Sequence, residues 1–139
     1  MSSALGINVP RRMTPNDYRL WRRVHLGSSG LVAFLALAHA TLSFFLYASW
    51  SADAVWFLGT GLGLLLLSAL NLSHIGVAPC RFPTTRLVRV ANWFFLAFGV
   101  AAVFAVPMPQ AFAVLAGLFG QAVAASRTLP GPVYGRDDR

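Results

Sequence analysis

Apolar positions fall along the chain in four long, predominantly apolar runs rather than in alternation, at about Leu26 to Ala48, Ala54 to Ile75, Leu87 to Val106 and Gln110 to Ala125. A helix needs ~20 apolar residues to cross ~30 Å of hydrocarbon, and the first three runs reach that length while the fourth is shorter. Inside lipid each backbone amide must be bonded within its own segment, so runs of this kind are helices; barrel strands would alternate. The pattern predicts an all-α integral membrane protein, an antiparallel bundle of four transmembrane helices over residues 25–126. A polar interfacial segment (1–24) precedes it and a short tail (127–139) follows.

Helix boundaries carry their own marks. In "MTPNDYRLWRR" Thr14 is placed to cap a helix, with Pro15 at the first helical position and Asp17 in the first turn. The two prolines of "PMPQ" turn the chain sharply between the third and fourth runs.

Composition sharpens the membrane reading: 57% of the 139 residues are hydrophobic and 11% charged. The eleven basic residues are all arginine and the net charge is +7. Arg11, Arg12, Arg19, Arg22 and Arg23 precede the first run, Arg81 and Arg86 lie between the second and third with Arg89 at the start of the third, and Arg127, Arg136 and Arg139 follow the fourth. The other two connections hold only one charge, Asp53. Cytoplasmic loops collect arginine, so both termini and the middle loop are expected in the cytoplasm of a bacterial inner membrane. Nucleic acid is not an expected partner, because these arginines flank apolar runs instead of forming a water-exposed face. The first run is long and follows about two dozen polar residues, unlike a cleavable signal. Cys80 has no second cysteine to pair with and reads as an incidental thiol.

Helices in lipid gain little from Leu against Leu, so small and polar residues mark the faces that meet. On the first helix His25, Ser28 or Ser29, Val32, Ala36, His39, Ser43 and Tyr47 make one stripe; on the second, Gly59, Gly61 and Gly63 lead to Ser68, Asn71 and His74. Asn92 and Gly99 share a face of the third, and Ala113, Gly117, Gln121 and Ala124 one of the fourth. Counting ~1.5 Å of rise per residue puts His25, Asn71, His74, Asn92 and Gln121 in a polar cluster at the cytoplasmic end. His39 falls about 20 Å deeper, level with Gly63, Gly99 and Gly117. With Ser43 these define an expected ligand pocket. Tyr18, Arg19, Trp21, Arg22 and Arg23 suit the headgroup layer as interfacial anchors.

An ionisable side chain within a membrane span is a functional-site hypothesis. His39 is open to three readings: a structural hydrogen bond, a contact to a lipid or quinone, and a metal or haem ligand. It has no histidine at its own depth, so bis-histidine haem ligation there fails within one chain. His25 with His74 is the alternative pair for haem or another metal, and the sequence requires neither. No carboxylate lies within a run to carry protons, and no catalytic constellation is legible. The expected role is a small accessory or binding protein whose partners are membrane lipids, other membrane subunits or further copies of itself, holding a lipid or quinone between helices. The alternatives are a haem- or quinone-linked redox protein and a small channel or facilitator.

At "WFLGTGLGLLLLSALNLS", with the histidine of the first run, the chain resembles small four-span bacterial inner-membrane proteins of unassigned activity. The matching residues are His39, Trp56, Phe57, Gly59, Gly61, Leu62, Asn71 and Leu72. The resemblance covers the first two runs and implies four helices, with no activity, cofactor or catalytic residue attached.

Overall fold

The computed structural model describes residues 14–75 and 82–128. Arg11, Arg12, Cys80, Arg81, Arg136 and Arg139 lie outside them. Four helices account for almost all of the described chain: α1 (Pro15–Leu46), α2 (Ala52–Ile75), α3 (Phe82–Ala105) and α4 (Pro109–Thr128). Among the described residues there is no strand. Each helix is long and apolar enough to cross a membrane.

Local chemistry sets the helix starts. The Thr14 hydroxyl accepts from the Asp17 amide at 3.2 Å while the Asp17 carboxylate accepts from the Thr14 amide at 3.3 Å, a reciprocal cap that frees neither donor. Asp17 also sits where a negative charge favours the helix dipole. Ser51 accepts from the Ala54 amide at 3.2 Å and opens α2 in the same manner. From Pro15 the helix continues without interruption through Leu46, 32 residues in all, so residues 15–24 and the first span form one rod. The apolar run places the first span at 26–48, and the helix starts earlier because arginine, tryptophan and leucine all propagate a capped helix once it has begun.

The faces that meet are small or polar. On α1 the buried residues are His25, Ser29, Val32, Ala36, Ala40 and Ser43, and on α2 Gly61, Leu64, Leu67, Ser68 and Asn71 stand among theirs. Val32, Ala36, Leu64, Leu67 and Leu118 form one apolar cluster, and Val88 with Ala125 a second. α1 packs closely on both α2 and α4, α3 packs on α4, and α2 meets α3 more sparsely. Ala40 lies against Gly61 whereas His25 reaches Asn71, so residue numbers climb along α1 as they fall along α2.

The outward surface is made of large apolar side chains. Phe104 is 85% exposed, Phe45 81% and Trp56 76%, and many more Leu, Val and Phe residues join them. A monomer in water rarely shows continuous apolar surface on this scale; hydrocarbon is the solvent that suits it.

The close approach of α1 and α2 depends on Gly61. A Cβ there would stand 2.9 Å from the Ala40 backbone nitrogen and 3.1 Å from the Ala36 carbonyl oxygen, atoms that cannot rotate away. Gly59 and Gly63 form a GxxxG spacing in the sequence, yet Gly59 has no neighbour within 4 Å and Gly63 meets only the Phe95 ring at 3.6 Å. Gly61→Ala is therefore expected to cost about 1–3 kcal/mol by overpacking, whereas Gly59→Ala gains about 0.5–1 kcal/mol from helix propensity. Unfolding of the two variants in detergent checks the contrast.

Candidate functional site: a buried polar layer

Near one end of the molecule polar side chains from all four helices meet out of contact with solvent. His25, Ser29, Ser68, Asn71, Asn92 and Gln121 each have none of their surface exposed. The Asn71 amide nitrogen donates to the Asn92 side-chain oxygen at 3.1 Å, and the Asn92 nitrogen donates back to the Asn71 oxygen at 2.8 Å. The same two nitrogens also donate along their own helices, Asn71 to the Leu67 carbonyl at 2.8 Å and Asn92 to the Val88 carbonyl at 2.9 Å. Those carbonyls fix both amides, since a flipped asparagine would set oxygen against oxygen.

The fixed amides determine the state of His25. Its Nε2 lies 2.8 Å from the Asn71 Oδ1, an atom that only accepts, so Nε2 carries a hydrogen. Its Nδ1 lies 3.0 Å from the Thr128 hydroxyl. The Thr128 hydroxyl donates in turn to the Ala124 carbonyl at 2.8 Å, tying this contact to the last turn of α4. His25 thereby links α1 to α2 and to α4, and Asn71 extends the link to α3. Toward the other end, Gln121 donates to Ser29 at 3.1 Å, a second bond between α1 and α4.

Two atoms in this layer stand apart. The Ser68 hydroxyl and the Gln121 Oε1 are buried without a hydrogen-bond partner. Other helix hydroxyls here, such as those of Ser28, Ser43, Ser73 and Ser126, donate to a carbonyl three or four residues earlier.

The structure joins His25, Asn71 and Asn92 of the expected cytoplasmic-end cluster directly, while Gln121 bonds Ser29 in a separate contact between α1 and α4. His74 lies outside the layer. It is half-buried, and its Nδ1 donates to the Leu70 carbonyl at 2.9 Å, in the last turn of its own helix. With both His25 nitrogens engaged and His74 turned back on α2, the pair shares no ligand position. Among the described residues no cluster of three histidine, cysteine, aspartate or glutamate side chains could hold a metal.

The expected pocket around His39 takes a different form. Ala40, not His39, holds the inward position on α1, because only a small residue fits against Gly61. His39 turns to the side, where its ring stacks on Phe57 of α2 with centroids 3.6 Å apart and planes at 23°. Gly63 faces Phe95, Gly99 faces Leu118 and Leu115, and Gly117 faces Val32 and Leu31. These glycines admit neighbouring side chains and do not surround the imidazole. Of the five, only Ser43 lines the cavity of about 200 Å³ at the α1–α2 connection, with Phe44, Tyr47, Trp50 and Ala54 among its other walls.

The interfacial anchors lie on the early turns of α1. Tyr18, Arg19, Arg22 and Arg23 are exposed, and Trp21 is half-buried with the Arg127 guanidinium 5.5 Å from its ring centroid. The hydropathy pattern places Thr128 in the tail, whereas it ends α4 and meets His25. Its signal was present: it follows Gln121 by seven residues and Ala124 by four, on one helical face.

Comparison with protein families, curated proteins and solved structures finds no match for this chain.

Replacing Asn71 by Leu strips the His25 Nε2–H of its acceptor and breaks the pair with Asn92. The expected cost is about 1–3 kcal/mol for each group left buried and unpaired. Ser68→Ala removes a hydroxyl that makes no bond and is expected to be neutral or stabilising. Unfolding in detergent separates the two, and nitrogen NMR of labelled histidine should find the Nε2–H form at His25. An Nδ1–H form there would contradict the amide orientations.

Proposed function

We propose that this is a small accessory or binding protein of a bacterial inner membrane, a compact antiparallel bundle with both termini cytoplasmic, that works through its outer faces. The observation that carries this reading is the commitment of its interior. His25, Asn71, Asn92 and Thr128 are engaged with one another, and the core glycines are filled by neighbouring side chains. A lipid, quinone or haem between the helices would have to displace those contacts. The outer faces, by contrast, present Phe34, Phe45, Phe94 and Phe104 to whatever lies beside them. Two short connections on the arginine-free side leave no room for a receptor or catalytic domain within the described residues. A neighbouring membrane subunit or a second copy of the chain is the partner this surface suits.

The decisive measurement is purification from the native membrane in mild detergent, followed by native mass spectrometry and an absorption spectrum of the same sample. The expected outcome is an assembly larger than one chain with no visible chromophore. A bare monomer would remove the accessory reading. A Soret band or an extractable quinone, lost in His39→Ala or in the double change His25→Ala, His74→Ala, would replace it with the redox reading.

A further inference from the structure

At the α1–α2 connection aromatic side chains surround open space instead of filling it. Phe44, Tyr47 and Trp50 wall the cavity of about 200 Å³ there, and Ser43, Ser49 and Ala54 help to close it. Trp50, beyond the end of α1, returns to Phe44 with ring centroids 6.2 Å apart and planes at 87°. Tyr47 is held in turn by Phe57 of α2, 5.7 Å away and tilted by 57°. Rings set at right angles wall a space on more than one side, the arrangement by which aromatic cages take alkylated ammonium groups.

The charge around the cavity has the sign that a cation needs. The cavity lies at the C-terminal end of α1, where the helix dipole leaves partial negative charge, and the last turn of α1 holds no basic residue to meet it. Asp53, next in sequence to the wall residue Ala54, is exposed and is the one charged side chain of this connection. The N-terminus of α2 would oppose a cation, but Ser51 already takes the Ala54 amide and Asp53 sits in the first turn to offset the dipole.

Size and hydrogen-bonding capacity narrow the occupant. Sites for drug-sized ligands run to ~300–1,000 Å³, so this cavity takes a small group. No carboxylate is among its walls, and the Ser43 hydroxyl already donates to the Ala40 carbonyl at 2.6 Å. A primary ammonium brings three N–H donors that need acceptors, whereas a fully alkylated one brings none.

We propose that this cavity binds a quaternary ammonium group of the trimethylammonium kind among Phe44, Tyr47 and Trp50, with Asp53 supplying negative charge nearby. The group can arrive on a water-soluble cation or on the choline headgroup of a lipid, and the recognition chemistry is the same. The site goes beyond the accessory role proposed above and does not depend on a protein partner.

The test titrates the full chain in maltoside detergent with choline and with dimethylbutanol, its uncharged carbon isostere, and follows binding by calorimetry. Choline should bind saturably and the isostere about tenfold or more weakly, since the ring faces attract the charge. Trp50→Leu should weaken choline by about fivefold or more, while Trp56→Leu, an exposed tryptophan outside the cavity, should leave it unchanged. A third titration with dihexanoylphosphatidylcholine distinguishes the sources: tighter binding than choline assigns a lipid headgroup, and equal or weaker binding a soluble cation. Equal affinity for choline and its isostere would overturn the proposal, as would choline binding that survives Trp50→Leu. Absence of saturable binding by both choline and the short-chain lipid would also overturn it and leave these rings as interfacial anchors only.

Discussion

The structure turns on one requirement: a polar group taken out of water must find its partner inside the protein. The Asn71–Asn92 pair meets it with the fewest moving parts. Each amide spends one hydrogen on its own helix and one on its neighbour, which locks both orientations and presents a fixed acceptor to His25. Once that acceptor is fixed, the tautomer of His25, the placement of Thr128 and the relative depth of all four helices follow. Asparagine suits the position because it both donates and accepts, so it can pair across helices without carrying charge. Interhelical hydrogen bonds in membranes average only ~0.6 kcal/mol, so the layer's larger effect is on register. Sliding α1 by one turn would leave several of these groups buried and unpaired at once, and each would cost about 1–3 kcal/mol.

Most of the fold was legible because lipid leaves so few options. Four apolar runs become four helices, and the Thr14 cap follows from three adjacent residue types. Part of the polar layer was legible as well: His25, Asn71 and Asn92 meet because polar residues on apolar helices at matching depth have little to bond with except one another, whereas His74, expected with them, turns back onto its own helix. His39 was misplaced for an identifiable reason. A stripe drawn with steps of three and four residues can pass through either His39 or Ala40, and sequence spacing does not choose between them. The choice is made by Gly61, which brings the α2 backbone so close that only the small Ala40 fits, and His39 is left to stack on Phe57. For the same reason the GxxxG spacing of Gly59 and Gly63 does not mark the contact, which Gly61 makes instead. Glycine is common in membrane helices, and which glycine makes the contact depends on rotation of the helix, a quantity set by the whole interface. Thr128 was hidden by hydropathy, which ends a span where polar residues begin even when the helix and its inward face continue.

The two ends of the molecule are held by different means. At the His25 end the helices are joined by directional bonds, whereas farther along they are joined by close fit, Ala36 and Ala40 on Gly61 and Val32 on Gly117. Directional bonds fail together when one partner is lost, but close-packed small residues lose contact by degrees. The His25 end is thus the one that specifies a single arrangement. The aromatic end, with its cavity between Ser43, Phe44, Tyr47 and Trp50, has no comparable lock. The two ends thus differ in kind: losing a partner at the His25 end leaves buried polar groups unpaired, whereas farther along the helices rest on contact between small residues.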